Sequence, residues 1–210
     1  MTPGRNEQRK AATRAKIIAA AHGLFVDRGY AATSMEDISR AADVAIRTIY
    51  LHFDSKAAVL LAYHDAWLSA FVRLLGERQR DEPLDVALRR ALDALVAEGL
   101  GNDRRIEEVT VLPPFLEFIG SGSPEIAGHL LHRWVAAQDE LTVRFREISG
   151  APPESPLPRF EASAVFAAWM TSILDFRERW SRGIPGASSH DVGAAAMDAY
   201  VAGLGTSSGS

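Results

Sequence analysis

Hydrophobic residues recur at helical spacing along almost the whole chain, and the alternating pattern of a β-strand is nearly absent. A first helix is predicted from about Arg9 to Arg28, before a glycine at position 29 that is typical of a helix end. Its apolar positions are Ile17, Ala21, Leu24 and Phe25. The chain therefore begins with an amphipathic helix.

Two short helices are predicted next. Thr33 with Glu36 three residues further on matches the capping-box pattern at the start of a helix, and that helix ends near Asp43. The apolar positions of this helix are Met35, Ile38 and Ala41. The inward positions of the third short helix are Val44, Ile49 and Phe53. Three short helices with a tight turn between the second and third form the frame of a helix-turn-helix module.

From Asp54 the apolar pattern lengthens into a larger helical body. One long helix begins at Asp54-Ser55-Lys56, and breaks rich in Gly and Pro separate the others. These further helices are predicted at about 83–100, 104–120, 124–149, 158–182 and 189–204. The predicted fold class is all-α, with a helix-turn-helix domain over residues 1–53 and a helical body over residues 54–210.

Charge is divided unevenly between these two parts. The chain of 210 residues has a formal net charge of −4, which alone argues mildly against binding nucleic acid. However, residues 1–56 hold nine Lys and Arg against six acids, a net of +3, while the remainder is net −7. A basic module on an acidic body suits a head that seeks phosphate. With no cysteine, the chain has no disulfides, cysteine-based zinc sites or thiol nucleophiles.

The sequence shows neither a membrane-spanning segment nor a secretion signal. The longest uncharged stretch of the apolar second half, from Ala162 to Leu174, falls short of the roughly 20 residues that a transmembrane helix needs. The first ten residues are polar and basic, with no apolar run behind them. We expect a cytoplasmic protein.

Polar residues on the outer face of the third helix are suited to DNA. Arg47 can donate to guanine edges or to phosphate, and both alternatives remain open. Thr48 can contact either, while the side chains able to reach backbone oxygens are Tyr50, His52 and Lys56.

The run GYAATSMEDISRAADVAIRTIYLHFDSKAAVL, residues 29–60, closely resembles the signature of TetR-type (tetracycline-repressor-like) transcriptional regulators. The resemblance implies a DNA-binding domain followed by a ligand-binding and dimerisation domain. It further implies a homodimeric repressor that leaves a palindromic operator in double-stranded DNA when a small, mainly apolar effector binds the body. Neither an enzymatic activity nor a cofactor is expected.

Roles for single residues follow from the same resemblance. Thr33 matches a capping Thr that also touches phosphate, and Lys56 matches a phosphate-anchoring Lys. The implied DNA-binding set is Thr33, Ser34, Ala45, Ile46, Arg47, Thr48, Tyr50, His52 and Lys56. Two positions depart from the family pattern, because Ala45 stands where Ser is frequent and Ile46 stands where polar residues are common.

The body offers candidates for an effector pocket. His64 and Gln138 are polar residues on otherwise apolar stripes, with aromatic residues that could supply the walls. The candidate set is His64, Trp67, Phe71, Phe115, Phe118, Trp134, Gln138, Phe166, Trp169 and Met170. Ordinary core packing is an equally good explanation for each of these residues.

The helix at 158–182 is apolar on two sides, which suits a dimer interface, and the last helix is rich in small residues. The candidate interface is Val165, Trp169, Ile173, Phe176, Trp180, Ala195 and Ala199. The alternative is a central core helix within a monomer. His129 and His132 could share a metal, but no further ligand is evident and no metal site is predicted. A second hypothesis is a small-molecule binding or enzymatic protein whose head is a structural relic.

Overall fold

All secondary structure in the described part of the chain is helical, which confirms the predicted fold class. The computed structural model describes residues 4–98, 100 and 123–182, with the backbone alone at 172, 173, 175–177 and 179–181. The predicted helices at 104–120 and 189–204 lie outside these residues. So do the predicted sites that involve Phe115, Phe118, Ala195 and Ala199 and the side chains of Ile173, Phe176 and Trp180.

The helices follow one another through short connections, apart from the interval before α7. They are α1 (Arg5–Arg28), α2 (Met35–Ala41), α3 (Ile46–Tyr50), α4 (Lys56–Leu60), α5 (Ala62–Leu75), α6 (Leu84–Ala97), α7 (Pro124–Ser149) and α8 (Leu157–Ser181). In this described part, no helix combines the length and the apolar character required to cross a membrane.

The first helix begins at Arg5, one turn earlier than the sequence predicted, and ends as expected. Gly29 adopts a φ of 84°, and its N–H donates to the carbonyl of Phe25 at 3.0 Å. Only glycine adopts such a conformation without steric cost, so the position fixes the end of the helix. The buried residues of α1 lie on one face and are Ile17, Ala21 and Phe25.

The cap of α2 differs from the prediction by one residue. Ser34, rather than Thr33, is the capping residue: its Oγ accepts from the N–H of Asp37 at 3.1 Å, and Asp37 Oδ2 accepts from the N–H of Ser34 at 3.0 Å. The hydroxyl of Thr33 donates instead to the carbonyl of Gly29 at 2.8 Å. This register follows from the need to bury Met35 and Ile38 on one side of the helix.

A tight turn joins α2 to α3. Asp43 has a φ of 47° and is the one non-glycine residue with positive φ in the described residues. Ser39 secures the turn, because its Oγ donates to the carbonyl of Val44 at 2.6 Å. Beyond the turn, Ile49 and Phe53 are buried as predicted, whereas Val44 is half-buried.

The long helix predicted from Lys56 is divided in two. Leu61 separates α4 from α5, with its own N–H bonded to the carbonyl of Ala57 at 2.9 Å. The N–H of Asp65 bonds in turn to the carbonyl of Leu61 at 2.8 Å. Helical hydrogen bonding therefore continues across the break, and the departure from the prediction is confined to one residue.

The chain divides into two compact units. The head unit comprises residues 1–65 and 108–129, and the body unit comprises residues 66–107 and 130–210. The body unit has an apolar core to which α5, α6, α7 and α8 contribute. Its fully buried side chains include Leu68, Leu75, Leu95, Leu141 and Phe145. The functional boundary predicted after residue 53 is a different kind of division and stays a prediction.

Candidate nucleic-acid interface

α3 packs on the head unit through a buried residue on its inner face, and its outer face is exposed. Ile49 is fully buried, whereas Arg47 and Tyr50 are exposed, Tyr50 by 52%. Residues three apart on a helix share a face, so these two side chains point the same way. Ala45, at the helix N-cap, is exposed as well, while Ile46 and Thr48 are half-buried. We name Ala45, Arg47, Thr48 and Tyr50 the reading surface.

Lys56, predicted to contact phosphate, is bonded within the head unit. Its ammonium donates to the carbonyl oxygens of Tyr30 at 2.7 Å and Thr33 at 2.8 Å, and lies 4.0 Å from the centre of the Tyr30 ring. Burial lowers the pKa of Lys56, and the nearby carboxylate of Glu125 opposes that effect. Two of its three N–H donors therefore join the loop before α2 to the start of α4, and one remains for a phosphate.

The hydroxyls of Thr33 and Ser34 are also used inside the head unit. Thr33 is only 2% exposed and bonded to Gly29, so its side chain does not present a phosphate contact, contrary to the expectation. Ser34 is half-buried, and besides capping α2 its Oγ donates to Asp37 Oδ2 at 2.7 Å. Both residues support the fold of the module, and the phosphate contact of Ser34 stays a prediction.

Asp37 is the charged centre of this part of the head, a role that was not predicted from the sequence. Its carboxylate lies 2.6 Å from Arg28 and 2.8 Å from Arg40. The hydrogen bonds from the side chain and backbone of Ser34, followed by the two guanidinium groups, lower the pKa of Asp37 to about 2. The signal was an acidic residue three positions after a capping Ser.

His52 and Arg14 lie beside the buried Phe53. Burial lowers the pKa of His52, and the positive charges of Lys10 and Arg14 lower it further. The guanidinium of Arg14 lies 4.3 Å from the centre of the Phe53 ring. The contact of His52 with the DNA backbone stays a prediction.

An open cavity of about 500 Å³ adjoins the reading surface. Tyr50 lies on one side of it, and Lys56 and Ser55 contribute polar groups to its lining. Its remaining lining residues are Ala31, Thr33, Ser34, Met35, Asp54 and Glu125. The structure thus brings Tyr50 and Lys56, which the sequence predicted to contact the DNA backbone, to one concave surface.

Five of the predicted pocket residues come together in the body unit as an aromatic cluster: Trp67, Phe71, Trp134, Phe166 and Trp169. Trp67 stacks on Phe71 with ring centres 5.1 Å apart and on Trp169 at 5.0 Å, and Trp134 tilts against Trp169 at 5.1 Å. These rings pack directly against one another, so a ligand would enter by displacing a ring.

The other candidates in the predicted pocket have different surroundings. Gln138 donates to the hydroxyl of Ser163, and Met170 is half-buried. His64 belongs to the head unit, where its Nδ1 lies 3.4 Å from Asp65 Oδ1. A role for His64 in the effector pocket stays a prediction.

The predicted dimer interface also needs a correction. Val165 is 2% exposed and Trp169 is part of the aromatic cluster, so both belong to the core of the body unit. On the same helix, Leu157, Phe160 and Leu174 are exposed, Phe160 by 51% and Leu174 by 45%. The helix is apolar on two sides, but Val165 and Trp169, the two predicted interface residues whose side chains are described, lie on the side that faces the core.

His129 does not pair with His132 around a metal. Its Nε2 lies 2.8 Å from Asp65 Oδ2, and His132 is exposed. Across residues 4–98, 100 and 123–182, no group of three potential metal ligands occurs. Hydrogen bonds from His64 and His129 lower the pKa of Asp65 despite its burial, so Asp65 is an anion between two imidazoles.

A tight turn between two short helices, with polar residues on the outer face of the second, defines a helix-turn-helix protein. Residues 17–63 match the family model described as "Bacterial regulatory proteins, tetR family". The match is confined to that N-terminal region, and it confirms the resemblance seen in the sequence.

Comparisons with known proteins agree. The chain is 35% identical over 109 residues to the probable transcriptional regulator ArpR of Pseudomonas putida, covering 50% of this chain and 52% of ArpR. It is 34% identical over 107 residues to the regulator TcmR of Streptomyces glaucescens, covering 51% and 46%. The matches thus span about half the length of these relatives. Both are named as transcriptional regulators.

The solved structures support the fold over a longer range. A SmeT–triclosan complex superposes with a TM-score of 0.61 over 91% of both chains, at 20% identity. NalD, a secondary repressor of the MexAB-OprM multidrug efflux pump in Pseudomonas aeruginosa, gives 0.50 over 93% of this chain and 97% of NalD, also at 20% identity. At this identity the likeness concerns the fold alone.

Proposed function

We propose that this protein is a transcriptional regulator that binds double-stranded DNA through α3. The reading surface carries the proposal: Arg47 and Tyr50 stand exposed on a short helix whose inner face is anchored by the buried Ile49. A short helix with polar outer residues fits the major groove of B-DNA. Duplex DNA is in the cytoplasm of a bacterial cell, where we place the protein.

The two exposed side chains have different proposed roles. Tyr50 contacts a phosphate, beside the remaining donor of Lys56, and Arg47 donates to a guanine edge. Phosphate contacts weaken with salt and are indifferent to sequence, whereas base contacts discriminate. Substitutions of the two residues should therefore differ in kind as well as in size.

A duplex selected from a random-sequence library tests this proposal. Tyr50→Phe should weaken binding to all sequences alike. Arg47→Ala should cost about 1–3 kcal/mol and relax the preference at one base pair. Arg47→Lys is the matched variant, because it keeps the charge but loses the planar fork of donors. If Arg47→Lys keeps full sequence preference, Arg47 contacts phosphate; if the protein selects no sequence, the proposal fails.

We further propose that the regulator acts as a homodimer on a palindromic operator. Two modules about 34 Å apart would read two half-sites, which one short helix cannot do. The exposed residues Phe160 and Leu174 of α8 supply an apolar surface for a second copy. In sedimentation experiments Phe160→Glu should give monomers, and Val86→Glu, a similarly exposed apolar position on α6, should not. A dimeric Phe160→Glu protein would exclude this surface.

A small, mainly apolar effector is proposed to release the regulator from DNA, as a repressor requires. The aromatic cluster supports this idea because displacing one ring would expose apolar walls in the body unit. The likeness to the SmeT–triclosan complex makes triclosan a reasonable first probe. Binding should change the fluorescence and near-ultraviolet circular dichroism of the stacked Trp67 and Trp169. Tight binding with no effect on DNA affinity would contradict the regulatory role.

A further inference from the structure

The first turn of α7 is bonded within the head unit at two points that lie one helical turn apart. Glu125 Oε2 accepts a hydrogen bond from Tyr30 Oη at 2.9 Å, and its Oε1 lies 3.4 Å from the backbone N–H of Ala57. Four residues later, His129 meets Asp65 at 2.8 Å. Ile126, between them, is fully buried. One face of this turn therefore packs within the head unit.

The partners of Glu125 are residues on which the module depends. Tyr30 lies in the loop before α2, and both its ring and its carbonyl contact the ammonium of Lys56. Ala57 is the second residue of α4, and its N–H has no acceptor within the helix because it belongs to the first turn. A single carboxylate thus bonds the segment before α2 and the start of α4, which flank the helix-turn-helix on both sides.

The hydrogen bond between Tyr30 and Glu125 lies at a position that water can reach. Burial, together with the hydrogen bond to Glu125, raises the pKa of Tyr30, so the phenol stays a proton donor at all ordinary pH values. Glu125 itself is exposed, so water competes for its oxygens. Residues further along the same helix, including Trp134, belong to the body unit.

We propose that Glu125 is a positioning residue that holds the helix-turn-helix in its DNA-binding arrangement. The DNA part of this inference rests on the proposed function. Loss of the contact removes no side chain of the reading surface. It does allow the segment that carries this surface, from the loop before α2 to the start of α4, to move more freely. Binding then has to order that segment again, which weakens affinity without changing sequence preference.

The test measures DNA affinity at a temperature where all variants are folded. Tyr30→Phe should weaken binding to the selected duplex by about threefold, and Glu125→Ala, which also loses the contact with Ala57, by about threefold to tenfold. The double variant should match Glu125→Ala, because the bond between the two side chains is already lost in that variant. Glu125→Gln should bind better than Glu125→Ala, since its amide oxygen still accepts from Tyr30 Oη. Glu140→Ala, on the same helix and bonded to Arg144, is the control and should bind normally.

A purely structural role would lower stability in Tyr30→Phe and leave DNA affinity unchanged, and that result would overturn the inference. Effects of the two substitutions that multiply in the double variant, or tighter DNA binding, would overturn it as well. If the wild-type protein selects no duplex, the proposed function fails on its own. Hydrogen exchange then tests the contact: Glu125→Ala should accelerate exchange of the Ala57 amide several-fold, and an unchanged rate would refute it.

Discussion

Replacement of Lys56 by methionine should destabilise the head unit, whatever its effect on DNA binding. The ammonium of Lys56 donates at 2.7 Å and 2.8 Å to the carbonyl oxygens of Tyr30 and Thr33. Methionine keeps the length and packing of the aliphatic stem but removes the charge and the donors. The substitution therefore isolates the polar contribution of this side chain.

The size of the effect follows from these contacts. A hydrogen bond from a charged donor contributes about 1.5–3 kcal/mol, and a cation that water still reaches contributes about 0.5–1 kcal/mol over an aromatic ring. Lys56 is half-buried, so water replaces part of what is lost. We expect a net loss of about 2–3 kcal/mol, which corresponds to a fall in Tm of roughly 4–10 °C for a chain of this length.

Amide hydrogen exchange localises that loss to the head. The N–H of Ala42 bonds to the carbonyl of Ile38 at 2.8 Å, and both residues are buried, so this amide reports opening of the module. A loss of about 2–3 kcal/mol should accelerate its exchange roughly 30- to 150-fold in Lys56→Met. Far-ultraviolet circular dichroism of the free protein gives the accompanying change in Tm.

Lys16→Met is the matched control. Lys16 lies 3.6 Å from Asp43 on the surface, where an ion pair contributes about 0–1 kcal/mol. Amide exchange rates in Lys16→Met should stay within about threefold of those of the wild-type protein. If Lys56→Met is as stable as Lys16→Met, the two hydrogen bonds of Lys56 contribute nothing and the reasoning is wrong.

Three further outcomes are expected. Asp43→Gly should stabilise the protein by about 0.5–1 kcal/mol in thermal unfolding, because a φ of 47° strains a residue with a side chain; Asp43→Val should destabilise it. Asp37, with a pKa of about 2, should contribute stability above pH 4 that is lost as the pH falls toward 2, and Asp37→Asn should abolish this dependence in acid unfolding. Trp169→Ala should cost about 3 kcal/mol of stability and remove most of the near-ultraviolet circular dichroism from ring stacking.

Helix periodicity predicted the elements of the described chain well, but it could not choose between adjacent residues with the same chemistry. Thr33 and Ser34 are both good capping residues, so sequence alone leaves the register of α2 open by one position. The choice is made by burial, because capping by Ser34 places Met35 and Ile38 against the rest of the head. Long-range packing of this kind has no local signature.

The direction in which a side chain points was the other limit. The two apolar sides of α8 were evident, but the pattern did not show whether Val165 or Phe160 faced the core, since both sides are similarly apolar. The direction of Lys56 was equally hard to predict. A lysine next to a helix with polar outer residues was expected to point toward solvent. The carbonyl oxygens of residues 30 and 33, to which its ammonium donates, come together only after the loop has folded.

The directions of the basic side chains determine how much of the positive charge of the head is exposed. Of the nine basic residues in the first 56, Lys56 faces inward, Arg14 is half-buried, and Arg28 and Arg40 pair with Asp37. Lys16 pairs with Asp43, and the exposed cations of the described head that form no ion pair there are Arg5, Arg9, Lys10 and Arg47. In the proposed complex, about four exposed charges per head would attract DNA, besides the remaining donor of Lys56, and each phosphate neutralised would contribute about −0.9 to the salt slope. Three of these four charges lie at the start of α1, so we expect that region to contribute much of the sequence-independent affinity and α3 much of the discrimination.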